Sequence, residues 1–304
     1  MNDQEKSYAL HEQHFDQYSK GGVRERIAQS WFTEGTIAYT QARQRDGISD
    51  PMLLAYPGAS WVTVGDGRYG SDAHYLGTKG ATALATDISD ALLKEGAEIG
   101  YIQAFKKENA EKLSFEDGSF DFVLCKESYH HFPRPMKALY EMLRVAKKGI
   151  ILLEPVDPYV YQNVVQAMFR GLIAGLNRLG IFKLLLGRDI NRATYEEVGN
   201  YVYKVSKREM EKIALGLNYP VVAFRGINIY HLQGSEKVDA KKFSKGTFIV
   251  SVMTGLLNLL SWLRIAEPQL LAVVLFKEMP NATCLEQLKK DGYQVVMLPR
   301  NPYW

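Results

Sequence analysis

The chain has 304 residues, enough for one sizeable α/β core with insertions, and its 46% hydrophobic and 23% charged content excludes global disorder. Its 37 Lys+Arg against 34 Asp+Glu leave a formal charge of +3, with no dense basic run, which argues against a nucleic-acid partner. Cys125 and Cys284 are its only cysteines, which excludes a disulfide framework and a cysteine-rich metal site and makes a reducing cytoplasm the expected location.

The first residues, M-N-D-Q-E-K, are polar and acidic, so no signal peptide is expected, and no stretch reaches the roughly 18 uninterrupted apolar residues of a spanning helix. Tyr8, His11, Phe15 and Tyr18 recur near helical spacing over Ser7 to Tyr18, and Val23 to Tyr39 reads as a second amphipathic helix. Residues 1–57 are therefore expected to form a helical lid, with the main domain at 58–304. Trp61 to Val64 is a short apolar, β-branched strand running into Gly65-Asp66-Gly67-Arg68-Tyr69-Gly70, after which Ser71 or Asp72 can cap a helix. Strand, glycine turn and helix start together suit a ligand with an anionic group. Leu84 to Asp87 reads as a second strand ending in an acid twenty residues after Gly67, where doubly wound sheets place a carboxylate for ribose hydroxyls.

Ser89 to Glu95 predicts a short helix, Ile99 to Phe105 a third strand and Phe120 to Cys125 a fourth. Pro135 opens a helix to about Ala146, which Lys147-Lys148-Gly149 are expected to close, and Ile150 to Leu153 is a fifth strand ending in Glu154-Pro155. Strands and helices alternating in this way predict a parallel sheet covered on both faces. Further on, Val160 to Leu186 is apolar and helical with a break near Gly180. Ser206 to Leu217 is a capped helix, Val221 to Tyr230 and Leu270 to Phe276 are strands, and Phe243 to Ile265 is again helical. Thr283 to Lys290 and Tyr293 to Leu298 supply a last helix and strand.

In this order the elements resemble a class I S-adenosylmethionine-dependent methyltransferase of the small-molecule type. V-T-V-G-D-G-R-Y-G resembles the first cofactor motif, T-D-I-S around Asp87 the strand-end acid, and N-A-E-K-L-S-F from Asn109 the adenine loop. F-D-F-V-L-C-K-E-S-Y-H-H-F, with A-L-Y-E-M-L-R-V-A-K-K-G after it, resembles the fourth strand and its downstream helix. The resemblance is close over about residues 55–160. It implies a doubly wound, mostly parallel, seven-stranded Rossmann-like sheet, with helical inserts at about 158–205 and 235–266 forming an acceptor pocket or a dimer contact.

The resemblance also implies that Gly65, Asp66, Gly67 and Gly70 form the cofactor loop. Asp87 would accept the ribose hydroxyls, Ile88 would lie on the adenine, and Asn109, Ala110 and Glu111 would meet the adenine edge. Lys126 would lie beside the methionine amine. The family's acid two residues before the first glycine is Thr63 here, and Asp66 is expected to take over its bond to the methionine ammonium. The product would be S-adenosylhomocysteine.

Methyl transfer from a sulfonium is a direct displacement, so the protein mainly aligns the reactants. A hydroxyl acceptor must also lose a proton, which a histidine of near-neutral pKa can take. His130 and His131 are the candidate bases, His130 preferred, with Glu154 as the carboxylate that orients the base. Tyr18, Tyr129 and Asp157 are the candidate substrate contacts. Adjacent histidines do not suit one metal ion, so no metal is expected. The expected reaction is O-methylation of a sugar or natural-product hydroxyl on a small molecule. C- or N-methylation of an apolar or lipid-linked acceptor comes next, and a nicotinamide-dependent oxidoreductase is a distant alternative. For the apolar inserts, burial in the domain or a homodimer is favoured over a membrane surface, although Arg170, Arg178, Lys183 and Arg188 keep the membrane in play.

Overall fold

Alternation of side chains along apolar strands splits the core into two layers. In the computed structural model, which describes residues 3–16, 30, 34–157, 160, 163–180, 201–232 and 234–303, strand β1 (Ser60–Val64) sends Val62 and Val64 to one layer and Trp61 to the other. β4 (Phe120–Lys126) divides likewise, Val123 and Cys125 against Phe122 and Leu124. Strands buried on both faces read as continuous apolar runs, which is why these segments stand out in the sequence.

With β2 (Thr82–Asp87), β3 (Phe105–Lys107), β5 (Ala146–Pro155), β6 (Val221–Ile227), β7 (Leu270–Phe276) and β8 (Gln294–Met297), the sheet has eight strands in the order β3-β2-β1-β4-β5-β7-β6-β8. β1 to β5 pair in parallel, β7 is antiparallel to both β5 and β6, and β8 pairs antiparallel to β6. The implied seven-stranded sheet is thus extended by one strand, the Tyr293 to Leu298 segment. Because the order reverses between β1 and β4, the loops after these two strands diverge and leave a crevice at their carboxyl ends.

Among the described residues, one face of the sheet is covered by α6 (Pro135–Val145) and α8 (Lys207–Gly216), through Leu139, Met142, Met210 and Ala214. The other is covered by α3 (Asp50–Ala55), α4 (Ser71–Thr78) and α10 (Ala282–Lys290), through Met52, Leu76, Cys284 and Leu288. α1 (Asp3–Asp16), α2 (Ile37–Asp46), α5 (Ala91–Glu98), α7 (Val164–Arg178) and α9 (Lys245–Trp262) are the other α-helices of the described residues. Ile48 and Met52, upstream of β1, are fully buried, and the Tyr293 hydroxyl donates to the Ile48 carbonyl at 2.8 Å. Tyr18 and parts of the helices expected over Val23 to Tyr39 and Val160 to Leu186 lie outside the described residues.

Three local expectations are corrected. The third strand begins only at Phe105, because α5 ends in a turn at Gly100 (φ 71°) whose following amides, Tyr101 and Ile102, return to the Gly96 carbonyl. Lys147-Lys148-Gly149 do not close α6, since the chain passes directly into β5 at Ala146. The carbonyls of Leu143 and Ala146 are met instead by the Lys277 ammonium, at 2.9 and 2.7 Å. Neither Ser71 nor Asp72 caps α4: the cap position is Gly70, and the carboxylate of Asp66 accepts the Asp72 and Ala73 amides at 3.1 and 2.9 Å.

Candidate functional site

The crevice holds a cavity of about 220 Å³, lined by the turns after β1, β2 and β4, the loop after β3, and α1. Gly65, Asp66, Gly67, Asp87, Ile88, Asn109, Ala110, Glu111, Lys126, His130 and His131 all line it.

The glycine turn is held by close approach. Gly65 has φ 77°, and a Cβ there would stand 2.4 Å from the Ser128 Cβ. The Ser128 hydroxyl donates to the Gly65 carbonyl at 2.6 Å, clamping the turn after β1 to the turn after β4. A Cβ on Gly67 would stand 2.8 Å from an Asp87 carboxylate oxygen, so glycine is what lets the turn sit over that acid. Asp87 ends β2 and accepts the Ser89 amide at 2.9 Å. Burial pushes its pKa up to about 6, against which the Ser89, Gly67 and Ile88 amides pull it down. A buried carboxylate at a strand end beneath a glycine turn fits a ligand that donates paired hydroxyls, as the ribose of S-adenosylmethionine does.

Asp66 lines the cavity. Its carboxylate caps α4 and accepts the Thr63 hydroxyl at 2.9 Å. Burial and the neighbouring Asp72 push its pKa up from the ordinary aspartate value. Gly70 is not in the cavity lining: a Cβ there would stand 2.8 Å from Ile102, which makes it a packing glycine. Lys126 is buried, its ammonium ion-paired with both Asp46 and Asp72. These two carboxylates hold its pKa above the ordinary lysine value despite the opposing effect of burial. It ties α2, α4 and the end of β4 together at the cavity wall.

After β4 the chain turns sharply through Glu127 (φ 52°) into a short 3-10 helix, Tyr129–His131. The Glu154 carboxylate, fully buried at the end of β5, organises this turn. One oxygen accepts the Ser128 and Tyr129 amides at 3.0 and 2.9 Å, and the other lies 2.5 Å from His130 Nδ1. A carboxylate on Nδ1 orients the imidazole and stabilises its protonated form. His131 stacks at a tilt on His130, with ring centroids 3.9 Å apart. Tyr129, an expected substrate contact, is instead a core residue, 1% exposed, whose hydroxyl lies 3.7 Å from the Met136 sulfur. Asp157 lies outside the cavity lining, where its amide donates to Val205 across a bridge beyond β5.

The helical lid expected at the start of the chain supplies a wall through residues that the sequence did not single out as site residues. Tyr8 and His11 line the cavity, and the buried Glu111 carboxylate is held by the Tyr8 hydroxyl at 2.7 Å and by Arg134 Nε at 2.5 Å. Burial and the Glu111 carboxylate push the Tyr8 pKa up. Further along α1, Glu12 pairs with Lys107, and the Ser89 hydroxyl donates to Asp16 at 2.5 Å. The aromatic spacing of Ser7 to Tyr18 was the available signal for this helix. Nothing local pointed to Arg134, which meets Glu111 only through the fold.

Residues 62–153 match the family model described as a methyltransferase domain. An uncharacterized methyltransferase of Bacillus subtilis, YcgJ, is 41% identical over 76 residues, 25% of this chain and 28% of that protein. The 2-methyl-6-phytyl-1,4-hydroquinone methyltransferase of Synechocystis is 34% identical over 125 residues, 40% of this chain and 38% of that protein. The ubiquinone/menaquinone biosynthesis C-methyltransferase UbiE of Idiomarina loihiensis is 35% identical over 91 residues, 26% of this chain and 34% of that protein. The chain thus spans about a third of the length of these relatives.

Proposed function

Because residues 62–153 form a class I S-adenosylmethionine-dependent methyltransferase domain, we propose that this chain methylates a small molecule bearing an ionisable hydroxyl, with His130 as the base. The observation that carries this reading is the Glu154–His130 pair, 2.5 Å apart, in the wall of the cavity that holds Asp87 and the glycine turn.

Bound S-adenosylmethionine supplies an activated methyl group on a sulfonium: it would give its methyl carbon to the acceptor's nucleophilic atom and keep the electron pair of the carbon–sulfur bond on sulfur. We assign its methionine part to Gly65 and Gly67, its ribose to Asp87, and its adenine to Ile88, Asn109 and Ala110. Glu111, spent on Tyr8 and Arg134, shapes the adenine loop and holds α1 over the cavity as a lid. The acceptor's proton passes to His130 Nε2, and the buried Glu154 carboxylate stabilises the imidazolium that forms.

A deprotonated hydroquinone or phenol is nucleophilic at oxygen and at ring carbon, so one base serves O- and C-methylation alike. The names of the hydroquinone methyltransferase and of the C-methyltransferase UbiE favour a phenolic, C-methylated acceptor at least as strongly as a sugar hydroxyl.

Titration with S-adenosylhomocysteine followed by methyl transfer to a panel of hydroquinones and sugar hydroxyls tests this assignment. Asp87→Ala is expected to weaken S-adenosylhomocysteine binding by about one to three kcal/mol. His130→Gln is expected to leave that binding within about twofold and to slow transfer by roughly 10²–10⁴-fold. Wild-type turnover in His130→Gln overturns the base assignment, and absence of S-adenosylhomocysteine binding in the wild type overturns the cofactor.

A further inference from the structure

Two helices of this protein turn a row of large apolar side chains to the outside. Residues 246–263 contain no Asp, Glu, Lys or Arg, and no residue of α9 is buried. Its inner side is half-buried, through Ile249, Met253, Leu257 and Leu260, and three of its polar side chains bond to the body of the protein. The Tyr230 amide donates to the Thr254 hydroxyl at 3.2 Å, and the Asn228 side-chain amide donates to Asn258 and Ser261 at 3.1 and 3.0 Å. The opposite side is an exposed apolar stripe, Phe248, Val252, Leu256 and Leu259, at successive spacings of four, four and three residues. Phe243, 89% exposed, precedes the stripe, and Trp262, 77% exposed, ends it. α7 likewise exposes Val164, Val165, Met168 and Leu172, while Gln166 is buried and Phe169, Ile173 and Leu176 are half-buried. The Asn163 side-chain amide donates to the Arg264 carbonyl at 3.3 Å and joins the start of α7 to the end of α9.

Apolar faces of this extent mark contact with another body, and charge decides which. Lys241, Lys242 and Lys245 stand at the start of α9 and Arg264 at its end. Of the nearby acids, Asp239 pairs with Lys242 at 3.6 Å, and Glu236 and Glu267 are half-buried. Two copies meeting through this face would set cation against cation whichever way the helices ran, with no acid on the helix to answer. An anionic headgroup layer answers both ends, and bulky aromatics at the ends of an apolar stripe suit the boundary between headgroups and acyl chains. No helix of the described residues is long and apolar enough to cross a membrane, which leaves α9 lying in the plane of the surface.

We propose that the outer faces of α9 and α7 seat this protein on an anionic lipid bilayer. The topology brings that surface to the site's side of the sheet. Pro155 at the end of β5 pairs with Leu270, Leu270 pairs with Ile227 at the end of β6, and Lys126 at the end of β4 pairs with Leu153. The segments leading to α7 and α9 therefore leave the same sheet edge as the cavity. The docking stands on these surfaces alone and is independent of the methyl-transfer reading.

Flotation of the whole chain with phosphatidylcholine vesicles, with and without about one-third phosphatidylglycerol, tests this. The wild type is expected to float with the anionic vesicles and at least about tenfold less with pure phosphatidylcholine or in high salt. The triple variant Phe248→Ser/Leu256→Ser/Trp262→Ser alters only exposed positions. It is expected to keep the wild-type melting temperature and S-adenosylhomocysteine affinity and to lose vesicle binding by at least about tenfold. Lys241→Glu/Lys242→Glu/Lys245→Glu is expected to abolish the preference for phosphatidylglycerol. Failure of the wild type to float, unaltered flotation of the triple variant, or a dimer in solution that the triple variant dissociates would each overturn the proposal.

Discussion

With the ribose assigned to Asp87, ligand binding is expected to be coupled to pH. The Asp87 carboxyl is pushed up to about 6 by burial, above the roughly 3.9 of an unfolded aspartate, so the folded state holds this proton more tightly than the unfolded chain does. The stability it contributes is complete below pH ~4 and is lost as pH rises through 6. Ribose hydroxyls donate to the ionised form, so binding runs the other way. S-adenosylhomocysteine affinity is expected to be flat above pH ~7 and to fall about tenfold per unit below 6, and binding at pH ~5.5 is expected to release a proton. Calorimetry in buffers of different ionisation enthalpy measures both, and Asp87→Asn is expected to remove the dependence. Asp87 was legible in the sequence because a strand and its distance from the glycine turn locate it. His130 and Glu154 were legible as candidates, and only the fold brings the carboxylate to Nδ1. The misreading at Tyr129 has a physical cause. A side chain's direction at a turn depends on which neighbouring element needs its polar atoms or its volume, and no local pattern encodes that.

At the scale of elements, the start of α4 is held by Asp66, from the loop before it. The α5 helix shows how tightly the cofactor turn is packed from behind. A Cβ at Gly96, within α5, would stand 2.5 Å from the carbonyl oxygen of Tyr69, in the turn itself. On an open helix surface glycine to alanine gains up to about 1 kcal/mol from propensity. Here the added methyl meets backbone, and Gly96→Ala is expected to be destabilising by about 1–3 kcal/mol in denaturant unfolding. The same substitution at Gly171, whose Cβ would meet nothing within 4 Å in α7, serves as the favourable control. Strands were the most legible elements, since burial on both faces writes itself as an apolar run. Helix ends were the least: Lys277 closes α6 from 134 residues beyond Leu143, and such a partner leaves no mark beside the helix.

Over the whole molecule, the sheet order gathers segments from α1 to the end of β5 around one crevice, and the chain beyond β5 builds the antiparallel half and the outward-facing helices. The ion cluster of Asp46, Lys126 and Asp72 is the main polar joint between α2, α4 and β4 at the cavity wall. Arg43 adds a contact to Asp46 at 2.9 Å. Removing one member strands buried charge. Lys126→Met is expected to be destabilising by about 3–5 kcal/mol in equilibrium unfolding, whereas replacing all three by apolar residues of similar volume is expected to recover most of the loss. The parallel half of this architecture could be read from the chain. The joint could not, because its members lie 26 and 54 residues apart and none is marked by its neighbours.

That joint also governs how this sequence can drift. A lineage that loses Lys126 alone carries the full penalty, and one that loses either aspartate alone leaves the ammonium half answered. Each of the three residues is tolerable only in the company of the others. Descendants of this chain should therefore keep the trio intact or exchange it within a short span of ancestry, so that substitutions at positions 46, 72 and 126 fall on the same branches of its family tree.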